Sequence, residues 1–372
     1  MRKRLYRLRG FSLVELMVGM TIGIICLLVM AQVLGNQSAQ KQTTASGANA
    51  TTAGSIALYM IERDARMAGF GLNGAPLTGC KINGYYKGPP AISPLAFSFV
   101  PIEIVTGAQT DSLTITYGTS EGNLSPSRLS ASHDGGNGDF AIDNRFGFYP
   151  GNLVVIAEDG VDSNDDGVND CTLAEVTGLP TAQGQTDKLS HSSAGYTDSR
   201  TGRNTPSMYN KPGGIGIAYS NNALVYNIGR LPVSHRYTVD AANSRMSRQD
   251  LTTGAGATPI GDGIVALRAR YGKDTDADGS IDLYDAATPT TAAGWNQVIA
   301  VRVAVVARSD KREGAQVSPS SITLWPDLTL PSGALASGPS MALSDEQRHY
   351  RYRIFQTLVP LRNRIWTIPS NG

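Results

Sequence analysis

Hydrophobic positions along this chain fall into two regimes. Over residues 11–34 they are nearly continuous, 24 residues whose only carboxylate is Glu15. At about 1.5 Å per residue a helix of that length spans a hydrocarbon core. Polar residues then enter, yet no proline occurs over 36–68, and Ile56, Tyr59, Met60 and Met67 recur near helical spacing with Glu62, Arg63, Asp64 and Arg66 on the polar side. This pattern predicts one helix continuing beyond the apolar run, its large apolar residues resting on the protein's own sheet. Gly47 and Gly54 each weaken it by about 1 kcal/mol relative to alanine, which predicts local bending. Gly69, Gly71 and Gly74, followed by Pro76, end it.

After the helix the period changes to two. Residues 113–117, 153–157 and 215–219 read as short strands bounded by Gly, Pro, Asn and Ser. Over 264–271, Val265, Leu267, Ala269 and Tyr271 point one way and Arg268 and Arg270 the other. Over 298–308, Val301, Val303 and Val305 alternate with Arg302, Ala304 and Val306. Both predict half-buried antiparallel strands, and long polar connections such as 178–212 predict surface excursions. With 41 glycines and turn residues at short intervals, the expected fold class is α+β: a long N-terminal helix, its outer half packed on an antiparallel β-sheet, with a large loop-rich β head.

Charge changes the picture at the N-terminus. Arg2, Lys3, Arg4, Arg7 and Arg9 precede the apolar run with no acid among them. The positive-inside tendency keeps that end in the cytoplasm and sends the bulk of the chain across the membrane. Losing those five charges takes the formal net charge from +1 to −4, and a mildly acidic chain is a poor non-specific ligand for nucleic acid. An ordinary secretory signal is cleaved after its apolar run, behind small residues; here the small residue, Gly10, stands before it.

The stretch Gly10-Phe11-Ser12-Leu13-Val14-Glu15 resembles the processing site of type IV prepilins. That resemblance implies cleavage after Gly10 by a prepilin peptidase, a free and usually N-methylated α-amino group on Phe11, and an assembly role for Glu15, whose carboxylate pairs with the positive end of a neighbouring subunit. A carboxylate within an apolar span costs a few kcal/mol unless it is paired or reaches the headgroups, the alternative for Glu15. The expected division is a leader at 1–10, a membrane and assembly helix at 11–34, the outer half of that helix at 35–72 and a β-rich head at 73–372. The head is expected in the periplasm before assembly and on the pilus or cell surface afterwards.

The helix end Ile61-Glu62-Arg63-Asp64-Ala65-Arg66-Met67-Ala68-Gly69-Phe70-Gly71 resembles the helix-to-head junction of PilW-family minor pilins. The tail does so too, in 262–272 with the acidic loop that follows, in 301–309, and in 351–355 with 361–363. The middle, near 80–260, carries no such likeness. The family implies a low-abundance subunit that helps other minor pilins initiate the filament and stays at its tip. Its implied partners are those minor pilins, the major pilin, the prepilin peptidase and the inner-membrane assembly platform. A type II secretion pseudopilin, a near relative with a generally shorter head, is the alternative the N-terminus leaves open.

Cys80 and Cys171 fall in the exported part of the chain, where an oxidising compartment favours a disulfide, and Cys26 in the span reads as a small apolar residue. Asp274, Asp276, Asp278, Ser280 (through its carbonyl), Asp282 and Asp285 take positions 1, 3, 5, 7, 9 and 12 around Gly279 at 6. This is the order of calcium loops of EF-hand-like and dockerin-like type. Asp162, Asn164, Asp166, Val168 and Asp170 repeat the order around Gly167, with Leu173 at position 12. A solvated turn is the alternative for both loops; Ca2+ is the one ion expected, and no cofactor is required.

Catalysis fits poorly. His133, His191, His235 and His349 are scattered and read as surface residues, no His-Glu-x-x-His motif occurs, and Gly254-Ala255-Gly256-Ala257 lacks the Lys-Ser/Thr of a phosphate loop. The chain therefore reads as non-enzymatic. Arg348, Arg351, Arg353, Arg362 and Arg364 suggest a basic patch for ligand or DNA capture at a pilus tip. Arg351 and Arg353 also alternate with Tyr352 and Ile354, as the solvent face of a final strand does.

Overall fold

The computed structural model describes residues 12–72, 76–88, 95–122, 125–326 and 338–365. The leader, Gly10, Phe11 and Gly74 lie outside the described residues. A single helix, α1 (Leu13–Met67, 55 residues), runs without a break through both Gly47 and Gly54. Ser12 caps it: the Val14 N–H donates to the Ser12 hydroxyl, and the Ser12 N–H donates to Glu15 at 3.0 Å. Two N–H groups that a first turn leaves without intrahelical partners are thereby satisfied. Gly69 and Gly71, at φ of 78° and 74°, turn the chain away beyond the helix end.

The buried stripe of the outer half differs from the one expected. Ile56, Tyr59 and Met67 are exposed and Met60 is partly packed, whereas Ala50, Gly54, Ala57, Ile61, Asp64 and Ala68 form the buried face at steps of four and three. Size selects this face. The sheet beneath carries its own valines and Phe355, so where α1 comes closest, at Gly54, only a small residue fits. A Cβ at Gly54 would stand 2.2 Å from the Phe355 ring.

Three larger sheets build the head. The first runs Lys81–Asn83, Asp170–Glu175, Leu153–Ala157, Leu224–Gly229, Ser127–Arg128, with only its first pair parallel. Cys80 and Cys171 are disulfide-bonded at that parallel pair, Cα–Cα 5.9 Å apart, within a buried cluster that includes Ile82, Phe99 and Val155. The second sheet is antiparallel in the order Thr258–Asp262, Arg245–Asp250, Val233–Asp240, Ser112–Tyr117, Ile102–Val105. The third is antiparallel in the order Leu283–Asp285, Ile264–Lys273, Val298–Arg308, Tyr352–Pro360. One core joins α1 to the second and third sheets: Ala57, Ile61 and Ala65 share it with Ile115, Tyr237, Met246, Val301, Val303 and Val305.

Several strand readings change. Val298–Arg308 is covered on both faces, because Ala304 and Val306 pack with Ile322, Leu324 and Trp325 on the side away from α1. A register shift between Ile264 and Ala266 turns Val265 to that second face, away from Leu267, Ala269 and Tyr271. Arg268 is buried rather than solvated; it donates to the buried Asp111 at 2.8 Å and to the Gly107 and Ala108 carbonyls. Residues 215–219 form no strand, and Tyr219 alone bridges to His133. The 178–212 connection is exposed over 181–187 and 199–204 as expected, but it is anchored inward near its end, where the buried Glu175 accepts from the Ser207 hydroxyl at 2.9 Å and the Met208 N–H at 2.8 Å. An internal carboxylate thus holds down a polar loop that composition alone sends to the surface.

Candidate functional site

The inner part of α1, Leu13–Leu34, is a stretch of 22 residues long and apolar enough to cross a membrane, and none of it is buried inside the protein. Glu15 lies on its exposed surface, and Cys26 is exposed on the same segment as a free cysteine. The described geometry gives Glu15 one role, the cap at Ser12. Its reach to a neighbouring subunit concerns a contact outside a single chain.

The outer half of α1 is tied to the head by a polar cluster that the hydrophobic pattern did not disclose. Asp64 is wholly buried, although its neighbours Glu62, Arg63 and Arg66 are all at least partly solvated. Its carboxylate accepts from Tyr237 at 2.6 Å, from His235 Nδ1 at 2.7 Å and from Tyr117 at 3.3 Å, all on the second sheet, with Arg63 at 3.2 Å on the solvent side. Burial pushes the carboxyl up, but the hydrogen bonds from His235 and Tyr237, the His235 charge and the Arg63 bond together hold it below the ordinary carboxylate value. Burial and the Asp64 charge push the Tyr117 phenol up to about 12 and the Tyr237 phenol further. Asp64 therefore stays charged and both tyrosines stay protonated as donors. The signal was present in the sequence as the four-and-three spacing of Ala50, Gly54, Ala57, Ile61, Asp64 and Ala68, obscured by larger residues on the other face. At the far end of the junction Asn363 donates to the Met67 carbonyl at 3.1 Å.

The two acidic loops differ. In the later one, carboxylate oxygens of Asp274, Asp276 and Asp282 lie within 4.8 Å of one another, a grouping that could hold a metal ion. Asp274 is buried and accepts from the Ala277 and Gly279 N–H groups, with Gly279 at φ 88° making the turn. Asp278 is outside the grouping and accepts from the Ser280 N–H. Asp285 is drawn away to Lys273, 2.8 Å distant, because it belongs to the Leu283–Asp285 strand that pairs with Lys273. In the earlier loop Lys81 already supplies a cation to Asp166 at 3.1 Å, and Asp170 is turned inward to the Ser163 N–H at 2.8 Å. Asp162 gathers the Asn164, Asp166 and Gly167 N–H groups, and Val168 donates its N–H to Asp166. The later loop is closed by the same kind of bonds, Asp282 accepting from the Thr275 N–H at 2.7 Å, so the Lys81 pair is what sets the earlier loop apart.

The histidines are not surface residues as a set. His133 and His191 are both buried, stack about Phe140 and converge on the Gly138 carbonyl. Burial pushes the His191 imidazole down, which suits a neutral donor in a packed site. His235 serves Asp64, and His349 bonds the Glu313 carbonyl at 3.0 Å. The C-terminal arginines are partly neutralised: Arg351 pairs with Glu313 at 3.1 Å and Arg348 with Asp345 at 3.5 Å.

Residues 225–363 match the family described as type IV pilus-assembly protein W, and residues 7–31 match the prokaryotic N-terminal methylation motif. No curated protein and no solved structure matches the chain. The first match begins at Val225, upstream of the tail residues that carried the resemblance, and takes in His235, Tyr237, the Asp274 loop and the whole third sheet. The junction 61–71 lies outside both matches. With the methylation motif at the head of a bare apolar helix and the pilus-assembly family at the other end of the chain, the two matches together support a PilW-like type IV minor pilin.

Proposed function

We propose that this minor pilin primes assembly of the filament with other minor pilins and stays at its tip, after cleavage behind Gly10 and methylation of Phe11. It waits in the inner membrane with its head in the periplasm until assembly. The observation that carries the reading is α1 itself. Its inner 22 residues are apolar and unburied, while its outer half is fixed into the head's core. One rigid rod can thus lie first in lipid and then among other subunits' helices without the head refolding. Glu15, exposed on that rod, offsets its charge against the free amino group of a neighbour in the filament. The role is structural rather than catalytic, the major pilin and the assembly platform being the remaining partners. The pilus-assembly match favours this reading over a secretion pseudopilin, and the ion pairs of Arg348 and Arg351 favour it over DNA capture.

The Asp274 loop carries a Ca2+ in this reading, because three carboxylates converging without a basic partner among the described residues repel unless a cation joins them. Asp274, Asp276 and Asp282 hold it. The test of the main proposal is deletion and replacement in the host. Deletion is expected to abolish or sharply reduce surface pili, and Glu15→Val is expected to be cleaved normally yet be missing from sheared filaments. Normal piliation in the deletion strain refutes the priming role.

A further inference from the structure

The sheet edges of this head are unequally protected. Edge strands of the three larger sheets are Lys81–Asn83 and Ser127–Arg128 at three and two residues, Thr258–Asp262 and Ile102–Val105 at five and four, and Leu283–Asp285 at three. Thr258–Asp262 carries Pro259, Gly261 and a register shift, and the outward groups of Ile104 are taken by the Tyr271 and Thr288 hydroxyls. These are the usual devices that keep an edge from recruiting another strand. Tyr352–Pro360 has none of them along its nine residues except the proline at its end.

The direction of its free groups follows from the ladder. Ser309 N–H donates to the Arg351 carbonyl and Leu361 N–H to the Ile299 carbonyl, each at 2.8 Å, and the pairing between these points has no register shift. Odd-numbered residues therefore turn their N–H and C=O groups to Val298–Arg308, and Tyr352, Ile354, Gln356 and Leu358 turn theirs outward. Among the described residues those outward backbone groups have no partner. Beside them Ile354 and Leu358 are 41% and 42% exposed on the face away from α1, beyond the cover that Ile322, Leu324 and Trp325 give to Val306. Arg353, on the opposite face, is exposed and makes no ion pair among the described residues.

We propose that this edge accepts an extended segment of another pilus subunit as a fifth strand of the sheet. The proposal rests on the pilin reading above and names the surface used. A row of alternating N–H and C=O groups selects an extended backbone. Ile354 and Leu358 select apolar residues at alternate positions of that segment, and Arg353 selects a carboxylate on its other face. A second copy of this chain paired antiparallel is the wrong occupant. Helix α1 runs in the same direction as this strand: Ser46 lies at Lys311, near Arg351, then Gly54 lies at Phe355 and Met67 at Asn363. Antiparallel pairing of two such strands would point the two membrane helices in opposite directions, which a single membrane does not accommodate.

The test uses the full chain in its host, with a photo-crosslinking amino acid in place of Gln356 and mass spectrometry of the cross-linked peptide. The expected result is a cross-link to an alternating apolar segment of a different pilus subunit. Leu358→Pro removes one outward N–H and none of the inner ladder, a position an edge strand tolerates, and is expected to lower that cross-link at least tenfold. Leu358→Lys, which leaves the backbone untouched, is expected to lower it as well. A cross-link to a second copy, an unchanged yield in both variants, or no cross-link from a chain that is present in sheared pili overturns the edge pairing alone. A chain absent from pili and cross-linked only to non-pilus proteins overturns the pilin reading together with it.

Discussion

Replacing Asp64 with alanine should separate the long helix from the head more effectively than any change to the large apolar residues of α1. Two of the bonds to this carboxylate, from Tyr237 at 2.6 Å and His235 at 2.7 Å, are short and join a charged acceptor inside the core. Each such bond contributes about 1.5–3 kcal/mol. The bond from Tyr117 is long, at 3.3 Å, and that from Arg63 starts from a side chain 54% exposed, so both add little. Alanine also leaves the buried Tyr237 and the half-buried His235 without this acceptor, and breaking a buried charged network by removing one partner typically costs about 3–5 kcal/mol. With a urea slope of about 3 kcal/mol per molar, the unfolding midpoint of the detergent-solubilised full chain should fall by about 1–1.7 M. Hydrogen exchange provides the local readout, because amides of 57–68 should open at lower cost in the variant than in the parent. Asp64→Asn keeps the shape and one acceptor and should cost about half as much. An Asp64→Ala protein with an unchanged midpoint and unchanged exchange at 57–68 would show that the cluster does not hold the helix.

The same cluster sets a pH window. The Asp64 pKa is lowered in the folded state, so its contribution is complete above about pH 4, the unfolded carboxylate range, and is lost as pH falls through the folded value. The tyrosines are raised, so theirs is complete below about pH 10 and fades above it; the stability difference between parent and Asp64→Ala, measured by urea titration across pH, should shrink at both ends. Gly54→Ala should destabilise the protein by about 1–3 kcal/mol through overpacking against Phe355, despite a gain of about 1 kcal/mol in helix propensity, and adding Phe355→Leu should recover most of the loss in thermal melts. Calorimetry of the full chain with Ca2+ should show binding that Asp276→Asn weakens and Asp166→Asn leaves unchanged, the latter because Lys81 already occupies that carboxylate. Replacing both Cys80 and Cys171 with serine should cost up to about 4–5 kcal/mol by the loop-closure estimate for a separation of 91 residues, read as a lower melting temperature that added reductant no longer changes.

The sequence by itself determined the parts of this protein whose physics is local or nearly so. A continuous apolar run and the methylation motif at its head mark a helix long and apolar enough to cross a membrane, since that property depends on composition over a single window. Period-two runs located the strands Ser112–Tyr117, Leu153–Ala157 and Val298–Arg308, and Cys80 and Cys171 pair as expected. Tertiary structure decided which face of α1 is inside. The apolar pattern pointed to Ile56, Tyr59 and Met67, but the sheet presents side chains that already fill the gap. What it requires of the helix is small size at Gly54, Ala57 and Ala68 and a single acceptor at Asp64 for three donors 53, 171 and 173 residues away. Tertiary structure also separated the two acidic loops, by bringing Lys81 to the earlier one, and it drew Asp285 out of the later one. It left Tyr352–Pro360 as the long edge of its sheet, with no strand paired outside it among the described residues. Each of these depends on groups far apart in the chain arriving at one place, and only the assembled core fixes which groups those are.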